Sequence, residues 1–132
     1  MSQENVEVVQ AFFDAWNTGD MEAVRELYDP EVIARTAEGW PEPGPYVGRD
    51  VVMRWFEQLR QTWGGTDTVV PVDDFVHAAD HVAVKYLWRG AGSGPDLEMR
   101  GTIVFTVRNK RIFGHEFFWD HAEALKAVGL AE

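Results

Sequence analysis

A histidine within an aromatic strand pattern is the strongest candidate for chemistry in this sequence. Residues 112–119 read IFGHEFFW, and simple alternation would place Phe113, His115, Phe117 and Trp119 on one face of a strand. Because imidazole exchanges protons near neutral pH, His115 is a candidate catalytic proton shuttle. The alternative is a buried histidine whose nitrogens bond a backbone carbonyl or water, as most buried polar groups do.

Arg35 is the second candidate catalytic residue, and it lies in a predicted strand over residues 31–37. If its side chain points into the interior, the guanidinium can bind a carboxylate or stabilise an oxyanion. The alternative, which the sequence slightly favours, is a solvent-facing arginine that pairs with a nearby acid.

The sequence carries no motif for a metal ion or another cofactor. It has no cysteine, which excludes thiolate catalysis and Cys-based zinc sites. His77 and His81 flank a predicted turn, so their spacing of four does not indicate a ligand pair. The glycines between residues 90 and 94 match no phosphate-binding motif. We therefore expect no cofactor and no metal.

Aromatic residues are unusually frequent and indicate a lined cavity as well as a core. The chain contains six Trp, eight Phe and three Tyr. Trp40 and Tyr46 lie in a Pro/Gly-rich segment, where they could cover the mouth of an apolar hollow. For aromatic residues on periodic stripes, plain core packing is the alternative. The predicted ligand-contact residues are Trp16, Trp40, Tyr46, Trp55, Tyr86, Trp88, Phe117 and Trp119.

The elements that must position these residues are helices in the N-terminal half and strands in the C-terminal half. Apolar residues recur at helical spacing over 5–17 and 50–62, and a short helix follows Gly19-Asp20 and ends before Pro30. Strand patterns cover 31–37, 68–76, 81–89, 97–108 and 112–119, before a terminal helix over 121–128. Short turns join the late strands, which predicts antiparallel pairing. The expected fold is α+β, with a strongly curved, mostly antiparallel sheet around three helices and a hollow between the layers.

Length and charge restrict the partners. The 132 residues fit a single domain, 1–132, and show no shift in composition. A net charge of -10 repels phosphate backbones and anionic lipids, so we expect neither a nucleic-acid nor a membrane partner. The sequence has no apolar run near the ~20 residues that cross a bilayer and no recognisable secretory signal. A cytoplasmic location is the default expectation.

Three segments resemble the SnoaL-like domains of the NTF2-like superfamily. They read AFFDAWNTGDMEAVRELYDPEV, GRDVVMRWFEQL and VFTVRNKRIFGHEFFWDHAEALKAVGL, and together they span nearly the whole chain. The resemblance implies a cone-shaped fold. It does not imply one activity, because the superfamily includes isomerases, cyclases, hydratases, epoxide hydrolases and binding modules.

Related ketosteroid isomerases provide a specific test of the resemblance. Their site has an Asp base that faces a Tyr and a protonated Asp. In this chain the Tyr position falls at Phe12, the base near Arg35 and the protonated Asp near Ile103. Phe12 and Ile103 have no proton to donate, and Arg35 cannot accept one. We therefore do not expect that isomerase mechanism, although Trp119 matches a Trp at the end of the last strand.

Two functions remain open from the sequence. The first is a SnoaL-like protein that binds a small apolar organic ligand in the cone. If it is an isomerase, cyclase or hydrolase, it would act by proton transfer, with His115 as shuttle and Arg35 as anion stabiliser. The second is a non-catalytic ligand-binding or structural module, a homodimer whose aromatic residues fill the hollow. The face predicted to pair two subunits carries Thr102, Val104, Thr106 and Phe118.

Overall fold

The computed structural model describes residues 2–37, 39, 44–62, 68–72, 75–90, 97–127 and 129. Within these ranges the helices are α1 Ser2–Asn17, α2 Met21–Leu27, α3 Arg49–Thr62 and α4 His121–Ala127. The strands are β1 Tyr28–Arg35, β2 Tyr46–Val47, β3 Thr68–Pro71, β4 Val76–Ala78, β5 His81–Gly90, β6 Leu97–Arg108 and β7 Arg111–Phe118. None of the helices in the described ranges is long and apolar enough to span a membrane.

The break between α1 and α2 forms as the sequence predicts. Gly19 has a φ of 77°, the left-handed conformation that commonly closes a helix. The Asp20 carboxylate accepts a hydrogen bond from the Ala23 amide at 3.0 Å and caps α2. The helix α2 ends at Leu27, before Pro30 would force it to end, since Tyr28 is already extended and begins β1.

The sheet is mixed, curved and unclosed, with strand order β2-β1-β7-β6-β5-β3 and β4 beside β5. The late strands pair antiparallel, as predicted, whereas β1 and β7 run parallel. The segment 68–76 is not one strand, because β3 ends at Pro71 and β4 begins at Val76. The short strand β2 lies where the sequence indicated only a loop. The α+β fold, with the sheet around three N-terminal helices, is confirmed.

The two faces of the sheet carry different helices. The helices α1, α2 and α3 pack on the inner face, where most buried residues form one core. The helix α4 packs on the opposite face, where Ala124 lies against Ala83 and Val104. The helix α4 therefore lies outside the group of three helices that the sheet surrounds. Thr102 and Val104 are buried within their own chain and are only 1% and 3% exposed. They therefore cannot contact a second subunit directly, although both were predicted on the dimer face.

A bulge between β6 and β7 changes which residues of β7 face inward. Thr106 pairs with Gly114, whereas its neighbour Val107 pairs with Ile112, so Phe113 is the extra residue. Ile112 is buried in place of Phe113, and alternation then resumes at His115. The predicted inward position is therefore wrong for Phe113.

Candidate functional site

His115 lies at the centre of the aromatic core, and its side chain is almost completely buried. It is 1% exposed. Burial lowers the pKa of its imidazole from 6.5 to about 3, because the charged form would lose its hydration. The ring is therefore neutral at pH 7. The predicted proton shuttle would instead exchange protons near neutral pH. The rings around it belong to Phe12, Tyr28, Phe56, Phe105 and Phe117, with centroids 4.9–6.0 Å away.

Tyr28 is the hydrogen-bond partner of His115. The Tyr28 hydroxyl oxygen lies 2.7 Å from His115 Nδ1, and both side chains are buried. Burial raises the pKa of the Tyr28 hydroxyl well above its ordinary value, so the pair is neutral. The sequence gave no signal that joined these two residues, which lie 87 positions apart.

A small apolar cavity adjoins His115. Its volume is about 10 Å³, which is the space of roughly one water molecule. Among the residues that the structure describes, His115 Nε2 has no hydrogen-bond partner. The surface that lines the cavity is apolar, and it belongs to Phe12, Trp16, Phe56, Leu59, Val69, Trp88, Ile103, His115 and Phe117.

Three predicted ligand-contact residues line this cavity, namely Trp16, Trp88 and Phe117. Trp55 and Tyr46 lie elsewhere, stacked on each other with ring centroids 4.5 Å apart. Trp55 also meets the Phe117 ring edge to face, so this stack lies behind the cavity wall. Among the lining residues, Phe12 and Phe56 were missed as site residues, although both fall on the helical stripes.

The other predicted contact residues do not share this cavity. Tyr86 is buried against Phe117 and also borders a cleft on the outer face. Trp119 follows the last residue of β7, is 49% exposed and borders the same outer cleft, so its inward assignment is wrong. Trp40 lies outside the described residues.

Arg35 is exposed and does not line the cavity. Its neighbour Ala34 is fully buried, and successive side chains of a strand point to opposite faces. Arg35 pairs in register with Glu116 of β7. Partial burial raises the pKa of Glu116, and the charge of Arg35 opposes that shift. Arg35 is therefore the solvent-facing arginine of the second interpretation. It does not lie inside the hollow, where the first interpretation placed it as an anion stabiliser.

Polar contacts hold the elements around the cavity. The Asn17 side chain donates to the Val69 carbonyl and accepts from the Val69 amide, each at 2.8 Å, which ties the end of α1 to the edge strand β3. Arg60 of α3 donates to the Trp16 carbonyl at 3.1 Å, and its guanidinium lies 5.2 Å from the Trp16 ring centroid. These contacts fix Trp16 and Val69 on the cavity wall.

The outer cleft is much larger and more polar than the inner cavity. It has a volume of about 440 Å³ and includes Lys85, Arg100 and Trp119. Thr102 Oγ1 and His121 Nδ1 are hydrogen-bonded at 3.0 Å within it. In the described part of the chain, no three His, Asp or Glu side chains come together as a metal-binding group.

Comparisons with known proteins agree with this fold. Residues 9–115 match the SnoaL-like domain family. Bal32a from a soil-derived mobile gene cassette is 25% identical over 88% of each chain, with a TM-score of 0.78. An NTF2-like protein from Burkholderia pseudomallei K96243 is 20% identical over 96% of this chain and 97% of that chain, with a TM-score of 0.76.

A third solved structure contains a ligand. RV0760c from Mycobacterium tuberculosis, in complex with estradiol-17beta-hemisuccinate, is 17% identical over 91% of this chain and 95% of that chain, with a TM-score of 0.77. No curated protein matches the chain significantly.

Proposed function

This chain belongs to the SnoaL-like domain family, and on that premise we propose that it binds a small, mostly apolar organic ligand at the inner cavity. The ligand would lie between the helices and the curved sheet, with one polar atom against His115 Nε2. The solved RV0760c complex is a precedent for a ligand in this fold.

The observation that carries the proposal is the unpaired Nε2 of a buried histidine beside an apolar cavity. A buried polar atom without a partner costs free energy, on the order of 1–3 kcal/mol. Among the described residues this nitrogen has no partner, and its residue lines the cavity. A ligand oxygen or nitrogen would satisfy it, and the surrounding rings would contribute apolar contact.

The ligand must enlarge the cavity, because about 10 Å³ cannot hold an organic molecule. The helix α3 packs against β1 and β2 at one edge of the sheet, whereas β3 forms the other edge. Leu59 of α3 and Val69 of β3 both line the cavity, so separation of these two elements is the proposed entry path. The contacts that Asn17 and Arg60 make would limit this separation.

The chemistry proposed for the site follows from a neutral imidazole. With a pKa of about 3, His115 neither carries charge nor serves as a strong base at pH 7. It can instead form a hydrogen bond to a ligand in a site without bulk water, where such bonds are strongest. If a reaction occurs, we propose that His115 polarises the reacting oxygen and that Arg35, on the exposed surface, takes no part.

The second candidate is a non-catalytic module whose aromatic residues simply fill the cone. The close packing around His115 favours it, since the inner cavity that the described residues line has a volume of only about 10 Å³. The two candidates differ in one measurable property, which is whether a small molecule enters the inner cavity.

The experiment is native mass spectrometry of the purified protein with a metabolite library, followed by calorimetric titration of any ligand found. We expect His115→Phe, which retains an aromatic ring but removes Nε2, to weaken binding about tenfold, as loss of one hydrogen bond would. Trp119→Ala, in the outer cleft, serves as the matched control and should bind as the wild type does.

Two results would contradict the proposal. One is equal affinity of His115→Phe and wild type for the ligand. The other is loss of binding in Trp119→Ala, which would move the site to the outer cleft. If no compound in the library binds, the structural module is favoured.

A further inference from the structure

The hydrogen bond between Tyr28 and His115 leaves two positions for the single proton of the neutral His115 ring. Two arrangements satisfy the 2.7 Å contact between the Tyr28 hydroxyl and His115 Nδ1. In the first, the hydroxyl donates to an unprotonated Nδ1, and the imidazole proton is on Nε2. In the second, a protonated Nδ1 donates to the hydroxyl oxygen, and Nε2 carries a lone pair.

The arrangements differ in the position of the donor that is left without a partner. In the first it is His115 Nε2–H, on a residue that lines the cavity, where a ligand that enlarges the cavity can supply an acceptor. In the second it is the Tyr28 O–H, and Tyr28 does not line the cavity; its hydroxyl has His115 as its only hydrogen-bond partner in the described ranges. A buried donor without access to any acceptor is unfavourable, so the surroundings favour the first arrangement.

The chemistry of the two groups agrees with this choice. A phenol is a strong hydrogen-bond donor, and the unprotonated nitrogen of imidazole is its natural acceptor. Burial holds Tyr28 in its protonated form, so its proton is present at all moderate pH values. A histidine tautomer is in general set by the hydrogen bond that the other ring nitrogen makes.

We propose that Tyr28 is a positioning residue that keeps the His115 proton on Nε2, and that the inner cavity therefore selects ligands whose buried polar atom is an acceptor, such as a ketone or quinone oxygen. The inference rests on the proposed function, because it specifies the ligand class of that same site. A ligand whose polar group is only an N–H donor, such as indole, would meet another donor there and would be rejected.

The test has a readout that needs no ligand. In protein labelled with ¹⁵N-histidine at pH 7, we expect His115 Nε2 to show a directly bonded proton and Nδ1 to show none. Tyr28→Phe removes the donor to Nδ1, so His115 should then populate both tautomers. Tyr86→Phe is the matched control, since Tyr86 is buried against Phe117, and it should leave the tautomer unchanged. A proton on Nδ1 in the wild type would overturn the proposal.

Three flat bicyclic probes of similar shape test the ligand class. The probe 1-indanone offers only an acceptor, indole offers an N–H donor, and indane offers no polar atom. By calorimetry we expect 1-indanone to bind about tenfold more tightly than indane, and indole to bind no more tightly than indane. In Tyr28→Phe the preference for 1-indanone over indole should fall several-fold.

The outcomes separate this inference from the proposed function. Tighter binding of indole than of 1-indanone would overturn the acceptor preference while it supports a ligand site in the cavity. If none of the three probes binds, the ligand preference fails, the library screen decides the proposed function, and the nitrogen spectra decide the position of the proton.

Discussion

The inner cavity and the outer cleft are opposite kinds of concave surface on one sheet. The cleft is open, about 440 Å³ in volume, and bordered by charged side chains and the exposed Trp119. The cavity is about 10 Å³ in volume, apolar, and bordered by a histidine held by a tyrosine. Of these two, volume alone would favour the cleft as the binding site.

On the proposed function, exclusion of water matters more than open volume for the chemistry of the site. A hydrogen bond in the buried cavity does not compete with bulk water, and an unsatisfied atom there favours binding of a partner. Polar groups along the open cleft are hydrated, so an exposed ligand contact there contributes little net free energy.

The largest expected difference concerns two tryptophans, one in each region. Trp16 is 2% exposed within the core, so Trp16→Ala should lower the free energy of unfolding by about 3–5 kcal/mol. Trp119 is 49% exposed, so Trp119→Ala should lower it by about 1 kcal/mol or less. Urea denaturation measures both, and equal losses would show that the outer cleft is as tightly packed as the core.

Acid should destabilise the protein through His115. Its folded pKa of about 3 lies below the ordinary value of 6.5, so the unfolded chain binds more protons between these values. The contribution of His115 to stability is therefore complete above pH 6.5 and is lost as the pH falls toward 3. From pH 6 to pH 4 the wild type should lose about 2 kcal/mol more than His115→Phe does.

The control for the acid experiment is the histidine of the outer face. His121→Gln should keep the wild-type loss between pH 6 and pH 4, because His115 is still present. If His115→Phe and the wild type lose stability in parallel, the imidazole is not buried in the neutral form.

Loss of the contact between α1 and β3 should have a smaller and local effect. Asn17→Ala removes two hydrogen bonds to the backbone of Val69 at a partly exposed position, so we expect a loss of about 1 kcal/mol. Hydrogen exchange at the Val69 amide should become faster. Gln10→Ala, which changes an exposed contact within α1, is the control and should leave that amide unaffected.

The smallest effect is expected at Arg35. Because its side chain is exposed and lies outside the inner cavity, Arg35→Ala should leave ligand affinity unchanged. Calorimetric titration of the ligand tests this. A tenfold loss of affinity would restore Arg35 to the site that the sequence first suggested.

The elements were predictable from the sequence where a single local signal determines them. The strand β6 has the predicted bounds, because alternation is continuous from residue 97 to residue 108 and a tight turn follows. Asn109 and Lys110 adopt positive φ angles of 51° and 64° there, as a two-residue hairpin turn requires. The inward position of His115 was also predicted.

The remaining features of the site depend on contacts that no local pattern encodes. The bulge at Phe113 shifts one residue of β7, and the adjacent Gly114 indicates an irregular strand without fixing its register. The hydrogen bond between Tyr28 and His115 joins residues that only the parallel pairing of β1 and β7 brings together. The cavity volume depends on how the rings interlock, which composition does not determine.

The most direct test of the central claim is a crystal structure of the protein soaked with 1-indanone. We predict that the probe lies between α3 and β3 in an enlarged inner cavity, with its carbonyl oxygen within hydrogen-bond distance of His115 Nε2. A probe found only in the outer cleft beside Trp119, with the inner cavity unchanged, would contradict the account.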